Sequence, residues 1–131
     1  MASERILVVD DNPTNLKLLS FLLESQGYEV RVAETAAQAL AVLECFAARL
    51  ILMDIQLPDI DGLTLTRTLR ASGLAAGVAI VAVTAYAMKG DEQRAIAAGC
   101  NGYISKPIDT RTLPARVAAF LAAGSTTGET P

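Results

Sequence analysis

The chain has 131 residues, 52% of them apolar and 19% charged, with a formal net charge of −3. That length and apolar content support one domain around one core and exclude a disordered tail. The acidic balance, with basic residues scattered instead of clustered, excludes broad nucleic-acid binding. Histidine is absent and the two cysteines, Cys45 and Cys100, stand far apart. His-based zinc sites, histidine general bases and phosphohistidine on this chain are thereby removed, and both thiols are expected as small buried hydrophobes. The start, MASER, is polar, and neither a signal peptide nor an apolar run of membrane length follows, so a soluble cytoplasmic protein is expected.

Residues 6–9 are a continuous apolar run, which predicts a strand covered on both faces. It leads into Asp10 and Asp11, adjacent carboxylates that repel each other and are costly to desolvate, so a positive group is expected nearby. Asn12 caps the next helix, with Pro13 at its first position. Leu16, Leu19, Leu22 and Leu23 share one face of it, and Gly27 ends it. Residues 29–33 alternate as an edge strand. Thr35 and Gln38 form a capping box for a helix through Ala39, Leu40 and Leu43. Residues 50–53 are a second fully apolar strand ending on Asp54, and the loop IQLPDIDG follows. A helix runs from Leu63 to about Ala71, closed by Gly73. Residues 78–83 make a strand ending on Thr84. Asp91 caps a short helix that Gly99 closes, and residues 102–105 make a brief strand ending on Lys106 and Pro107. The last helix reaches about Ala123, with Pro114 in its first turns. The domain is bounded at 1–123, and 124–131 is a flexible polar tail.

Five strands alternating with five helices predict a parallel sheet with helices on both faces, a doubly wound α/β fold. Ligands bind such folds at the carboxyl ends of the strands. Asp10, Asp11, Asp54, Thr84 and Lys106 all arrive there. Each has an ordinary alternative: a helix-start acid for Asp10 or Asp11, a loop acid for Asp54, a strand-end cap for Thr84, a solvated cation for Lys106. Their joint arrival at one sheet edge favours a single site. Three carboxylates without His or Cys favour a hard, oxygen-loving cation, and Mg²⁺ fits best. A metal beside Lys and Thr also suits a phosphoryl group, and an Asp can itself be the nucleophile that forms an aspartyl phosphate.

The segments ILVVDDN, ILMDIQLPDIDG, AVTAYA and YISKPI, taken together, resemble the receiver domain of bacterial response regulators, the CheY-like family. The resemblance covers about Arg5 to Ala123 and implies a flavodoxin-like (βα)5 arrangement. It implies that Asp54 is the phosphoryl acceptor in a His-to-Asp phosphorelay. Asp11, Asp54 and the backbone carbonyl of Gln56 would bind Mg²⁺ directly, and Asp10 mainly through water. Lys106 would contact the phosphoryl oxygens, Thr84 would hydrogen-bond one of them, and Pro107 would follow a cis peptide. Tyr103 would be the switch aromatic, filling the space that Thr84 leaves. That movement would remodel the face made by the fourth helix, fifth strand and fifth helix, a shift between pre-existing states. Gln56 and Tyr86 would tune the phosphoryl lifetime.

The implied donor is a sensor histidine kinase or a His-phosphotransfer protein, docked on the first helix. The implied output is a downstream target bound through the remodelled face, with no nucleic acid and no membrane. MDIQLP, AVTAYAMKGDE and GC…YISKPI further resemble the DivK-like subgroup, stand-alone regulators without an output domain. A receiver cut from a hybrid kinase is the alternative, although Met1 favours a natural start. A phosphorylation-independent interaction module is a second alternative, opposed by the intact site. A haloacid-dehalogenase-type phosphatase would need an acid at Asn12 and a late acidic pair, where only Asp109 and Glu129 follow Lys106.

Overall fold

A computed structural model describes residues 4–75, 77–85 and 90–127. Its elements in chain order are β1 (Arg5–Val9), α1 (Pro13–Ser25), β2 (Glu29–Ala33), α2 (Ala36–Leu43), β3 (Leu50–Asp54), α3 (Gly62–Ser72), β4 (Ala79–Thr84), α4 (Asp91–Ala98), β5 (Gly102–Ser105) and α5 (Leu113–Thr127). The five strands form one parallel sheet in the order β2-β1-β3-β4-β5.

The period-two alternation of a strand divides each apolar run between two faces. Ile6, Val8, Leu50, Leu52, Val81 and Val83 pack under α1 and α5, against Leu19, Leu23, Val117 and Leu121. Leu7, Val9, Ile51, Met53, Ile80 and Ala82 pack under α2, α3 and α4, against Leu43, Leu65, Leu69 and Ala95. The central runs read as unbroken hydrophobicity because both faces are covered. β2 lies at the edge, and its burial does not follow the polar/apolar alternation of its sequence: Val30 and Ala33 are buried, while the adjacent Arg31 and Val32 are both exposed.

The register levels the carboxyl ends. Val9 pairs with Ala33 and with Met53, Asp54 pairs with Val83, and Thr84 pairs with Ser105. The residues that follow or end these strands therefore emerge in one row.

The structure corrects four sequence expectations. Cys45 is exposed just past the end of α2, and only Cys100 is buried. The N-cap of α4 is Gly90, at φ 92°, a backbone that only glycine adopts without strain. Asp91 sits in the first helical turn, where the dipole still favours its charge. α3 begins at Gly62, with Asp61 accepting from the Leu63 amide as its cap at 2.9 Å. α5 continues through 124–127, four residues past the expected end, because extending a formed helix needs no new nucleus.

Candidate active site at the carboxyl edge

The turn after β1 separates its two acids. The Asp10 amide donates to the Ala33 carbonyl at 3.0 Å, which keeps Asp10 on the sheet. Its Oδ1 accepts from the Asn12 amide at 2.9 Å and its Oδ2 from the Asn15 side chain at 3.4 Å. Asn12 in turn caps α1, accepting from the Thr14 and Asn15 amides. Asp10 is buried and Asp11, one residue on, is exposed. Adjacent carboxylates thus approach one cleft from inside and from its mouth.

Asp54 ends β3 and is 4% exposed. Its Oδ1 accepts from the Gln56 amide at 3.1 Å. The loop behind it is held by the Ile55 amide on the Val83 carbonyl at 3.1 Å and the Gly62 amide on the Ile55 carbonyl at 2.7 Å. A Cβ at position 62 would strike the Asp54 carbonyl oxygen and lie 2.9 Å from the Ile55 Cα. Glycine is required there so that α3 can begin against the end of β3.

Lys106 reaches the same cleft from β5. Its Nζ lies 3.2 Å from Asp10 Oδ2 and 3.4 Å from Asp54 Oδ2. Its amide donates to the Thr84 carbonyl at 2.7 Å, and the Lys106–Pro107 peptide is cis. Thr84 is buried at the end of β4. Ala82 pairs with Tyr103 across the ladder, so Tyr103 and Thr84 share one face of adjacent strands. Tyr103 is half-buried and packs against the core under α4. Its carbonyl accepts from Arg116 at 3.1 Å. Burial first, then the carboxylates of Asp91 and Glu92, raise its phenol above the usual value. Tyr86 lies outside the described residues.

The electrostatics follow from burial and crowding. Burial raises the Asp54 carboxyl, and Asp10 adds to the rise; the Gln56 amide and Lys106 oppose it. Burial alone would lower Lys106, but Asp54 and Asp10 outweigh it and hold the ammonium protonated. Carboxylate oxygens of Asp10, Asp11 and Asp54 lie within 4.8 Å of one another. Among the described residues three formal negative charges thus face one lysine, and the donor set is all oxygen. That chemistry fits a hard divalent cation such as Mg²⁺, with the Gln56 carbonyl at the same turn as a further donor.

Sequence reading missed two groups that hold this frame, Asp59 beside the carboxyl edge and Arg70 at the opposite, amino end of the sheet. Asp59, in the loop after Asp54, accepts from the Ala36 and Ala37 amides at 2.9 and 3.0 Å. These bonds, the Ala36 amide foremost, lower its carboxyl. Arg70 donates to the carbonyls of Gly99, Ala75 and Val78 and to Asn101 Oδ1, tying the end of α3 to the start of β5. Both act on distant backbone, which leaves no periodicity in the sequence. An extra acid in a loop that already holds a helix cap was the one available sign.

A doubly wound sheet with a carboxylate cleft, a lysine and a buried threonine at its carboxyl edge defines a class of phosphate- and cation-handling domains. A sequence model of the response regulator receiver domain matches residues 6–118. The chain belongs to that family, the receivers of two-component signalling. The polar-differentiation response regulator DivK of Brucella anthropi is 40% identical over 116 residues, covering 88% of this chain and 94% of DivK. A CheY-like receiver domain protein from Methanospirillum hungatei JF-1 superposes with a TM-score of 0.87 at 35% identity, covering 96% of this chain and 99% of its own. The receiver domain of the sensor histidine kinase PA1611 of Pseudomonas aeruginosa PAO1, with magnesium coordinated in its active-site cleft, superposes at 0.82 and 36% identity, covering 92% of this chain and 99% of its own.

Proposed function

We propose that this chain is a phosphoacceptor switch. Asp54 takes a phosphoryl group from a phosphohistidine on a sensor histidine kinase or a phosphotransfer protein. An Asp54 Oδ attacks phosphorus, the P–N bond to the imidazole breaks, and the ring nitrogen leaves with a proton from solvent. Water later attacks phosphorus and returns the carboxylate and inorganic phosphate, so the chain turns over no free substrate of its own.

The observation that carries this reading is the set of Asp10, Asp11 and Asp54 oxygens within 4.8 Å, with Lys106 Nζ 3.4 Å from Asp54. Asp11, Asp54 and the Gln56 carbonyl would hold Mg²⁺, with Asp10 acting through water. When bound, the ion supplies positive charge to the phosphoryl oxygens. The magnesium in the PA1611 cleft supports that assignment. Lys106 pairs with a phosphoryl oxygen, and Thr84 donates to another. Tyr103 moves toward the space that Thr84 vacates, which changes the face of α4, β5 and α5 for a downstream protein. Gln56 and Tyr86 set how quickly water reaches the phosphoryl group. Likeness to DivK, matched over 94% of that protein's length, supports a regulatory role. Among the described residues no helix is long and apolar enough to cross a membrane.

The test is intact mass after incubation with acetyl phosphate and Mg²⁺, with EDTA as control. The wild type gains one phosphoryl group only with Mg²⁺, and Asp54→Asn gains none. An equal gain in Asp54→Asn would place the acceptor elsewhere.

A further inference from the structure

The first four amides of a helix lack helical partners. In α2 the local cap, Thr35, satisfies one of them: its Oγ1 accepts from the Gln38 amide at 3.1 Å. The Ala36 and Ala37 amides are satisfied from outside the helix. Asp59 accepts one on each carboxylate oxygen, at 2.9 and 3.0 Å, across 23 and 22 positions of sequence. Two consecutive amides held by two oxygens of one carboxylate fix its position and its orientation.

Asp59 stands at the tip of the 55–61 loop. The base of that loop is fastened by the Ile55 and Gly62 amides, by the Gln56–Asp61 bridge and by Asp61 as the cap of α3. The bonds through Asp59 fasten the tip to α2. Gln56 belongs to the base, in the bridge with Asp61, with its amide also on Asp54 Oδ1. Its carbonyl belongs to the peptide that leaves the base toward the tip, so where the tip stands bears on that carbonyl's direction. Mg²⁺ demands near-ideal octahedral geometry, so a small displacement of one oxygen ligand weakens binding.

We propose that Asp59 is a positioning residue, tying the acceptor loop to the first turn of α2 so that cation binding at the carboxyl edge and the α2 N-terminus are coupled. The inference rests on the reading of that edge as a Mg²⁺ site. Because Asp59 is exposed, its bonds compete with water and add little to global stability. Its effect is on where the loop stands. Coupling is reciprocal: whatever Asp59 adds to Mg²⁺ affinity, Mg²⁺ returns to the Ala36 and Ala37 bonds.

The experiment is a Mg²⁺ titration of the ¹⁵N-labelled full chain by NMR. In the wild type the Ala36 and Ala37 amides move with the same midpoint as Gln56. Asp59→Ala raises the Mg²⁺ Kd about fivefold, the low end for coupled sites, and abolishes the α2 response. Asp59→Asn, which keeps one acceptor oxygen, falls between. Thr35→Ala weakens the same helix start by another route and keeps the wild-type Kd. A wild-type Kd in Asp59→Ala would overturn the proposal, as would an equal loss in Thr35→Ala, which would make Asp59 a plain helix cap. A wild type that does not respond to Mg²⁺ at all would overturn the cation site itself, and the coupling with it.

Discussion

The two ends of the sheet both gather charge, under opposite rules. At the amino end Arg5 and Arg31 pair with Glu29, and Arg49 pairs with Glu4; these side chains are 37–53% exposed and alternate in sign. At the carboxyl end the side chains of Asp10 and Asp54 are 3% and 5% exposed, share one sign, and meet a single lysine among the described residues. Water screens the first group, so each pair contributes between zero and about 1 kcal/mol. The second group is desolvated and self-repelling, a combination that opposes folding and persists where it serves chemistry. The amino end keeps its charges solvated and paired, and the carboxyl end holds like charges at a cost to stability.

Substitutions at the two ends should therefore differ in size and in sign. The largest expected effect is at Gly62. Gly62→Ala drives a methyl into the Asp54–Ile55 backbone and should destabilise by about 2–3 kcal/mol in urea melts, with loss of phosphoryl uptake. A neutral result would mean that α3 need not approach the end of β3 so closely. Next is Lys106→Ala, which strands two buried carboxylates. It should lower metal-free stability by about 1–2 kcal/mol, less than a fully buried pair because water reaches the cleft, and Mg²⁺ should restore most of that loss. Failure of Mg²⁺ to rescue would separate the lysine from the acid cluster.

The pH dependence has a definite sign. The folded Asp54 carboxyl titrates above its ordinary value of 3.8, so the unfolded chain releases that proton first. Stability of the metal-free protein falls as pH rises from that value through the folded one, and stays lowered at neutral pH. Asp54→Asn lacks this loss, so the stability gap between the two should open across that window and then hold level. Lys106 acts with the same sign at higher pH: its raised value gives stability that is fully present below 10.5 and is lost as pH climbs through its folded value. The smallest effect belongs to the amino end. Glu29→Gln should change stability by no more than about 0.5 kcal/mol, shrinking further in salt; a loss above 1 kcal/mol would erase the contrast between the ends.

Much of this arrangement was legible before any coordinates. The apolar runs at β1, β3 and β4 read as buried strands, and a parallel sheet then obliges Asp10, Asp54, Thr84 and Lys106 to meet, since each stands at a strand end. The residues that escaped notice act through distant backbone. Asp59 completes the helix start at Ala36, and Arg70 collects carbonyls that only the fold brings together. Cys45 looked like a core thiol because composition cannot tell the end of a helix from its buried face. Asp91 looked like a cap because Gly90 shows its left-handed backbone only in three dimensions.

The most direct test of the contrast is the melting temperature of wild type and Asp54→Asn at neutral pH, with and without Mg²⁺. Without the ion, Asp54→Asn should melt higher, because one repelling carboxylate is gone. With Mg²⁺ the wild type should rise more than the variant and close or reverse the gap. A variant that melts lower without Mg²⁺, joined to a wild type indifferent to the ion, would contradict the claim that these buried acids are held against stability for a cation and a phosphoryl group.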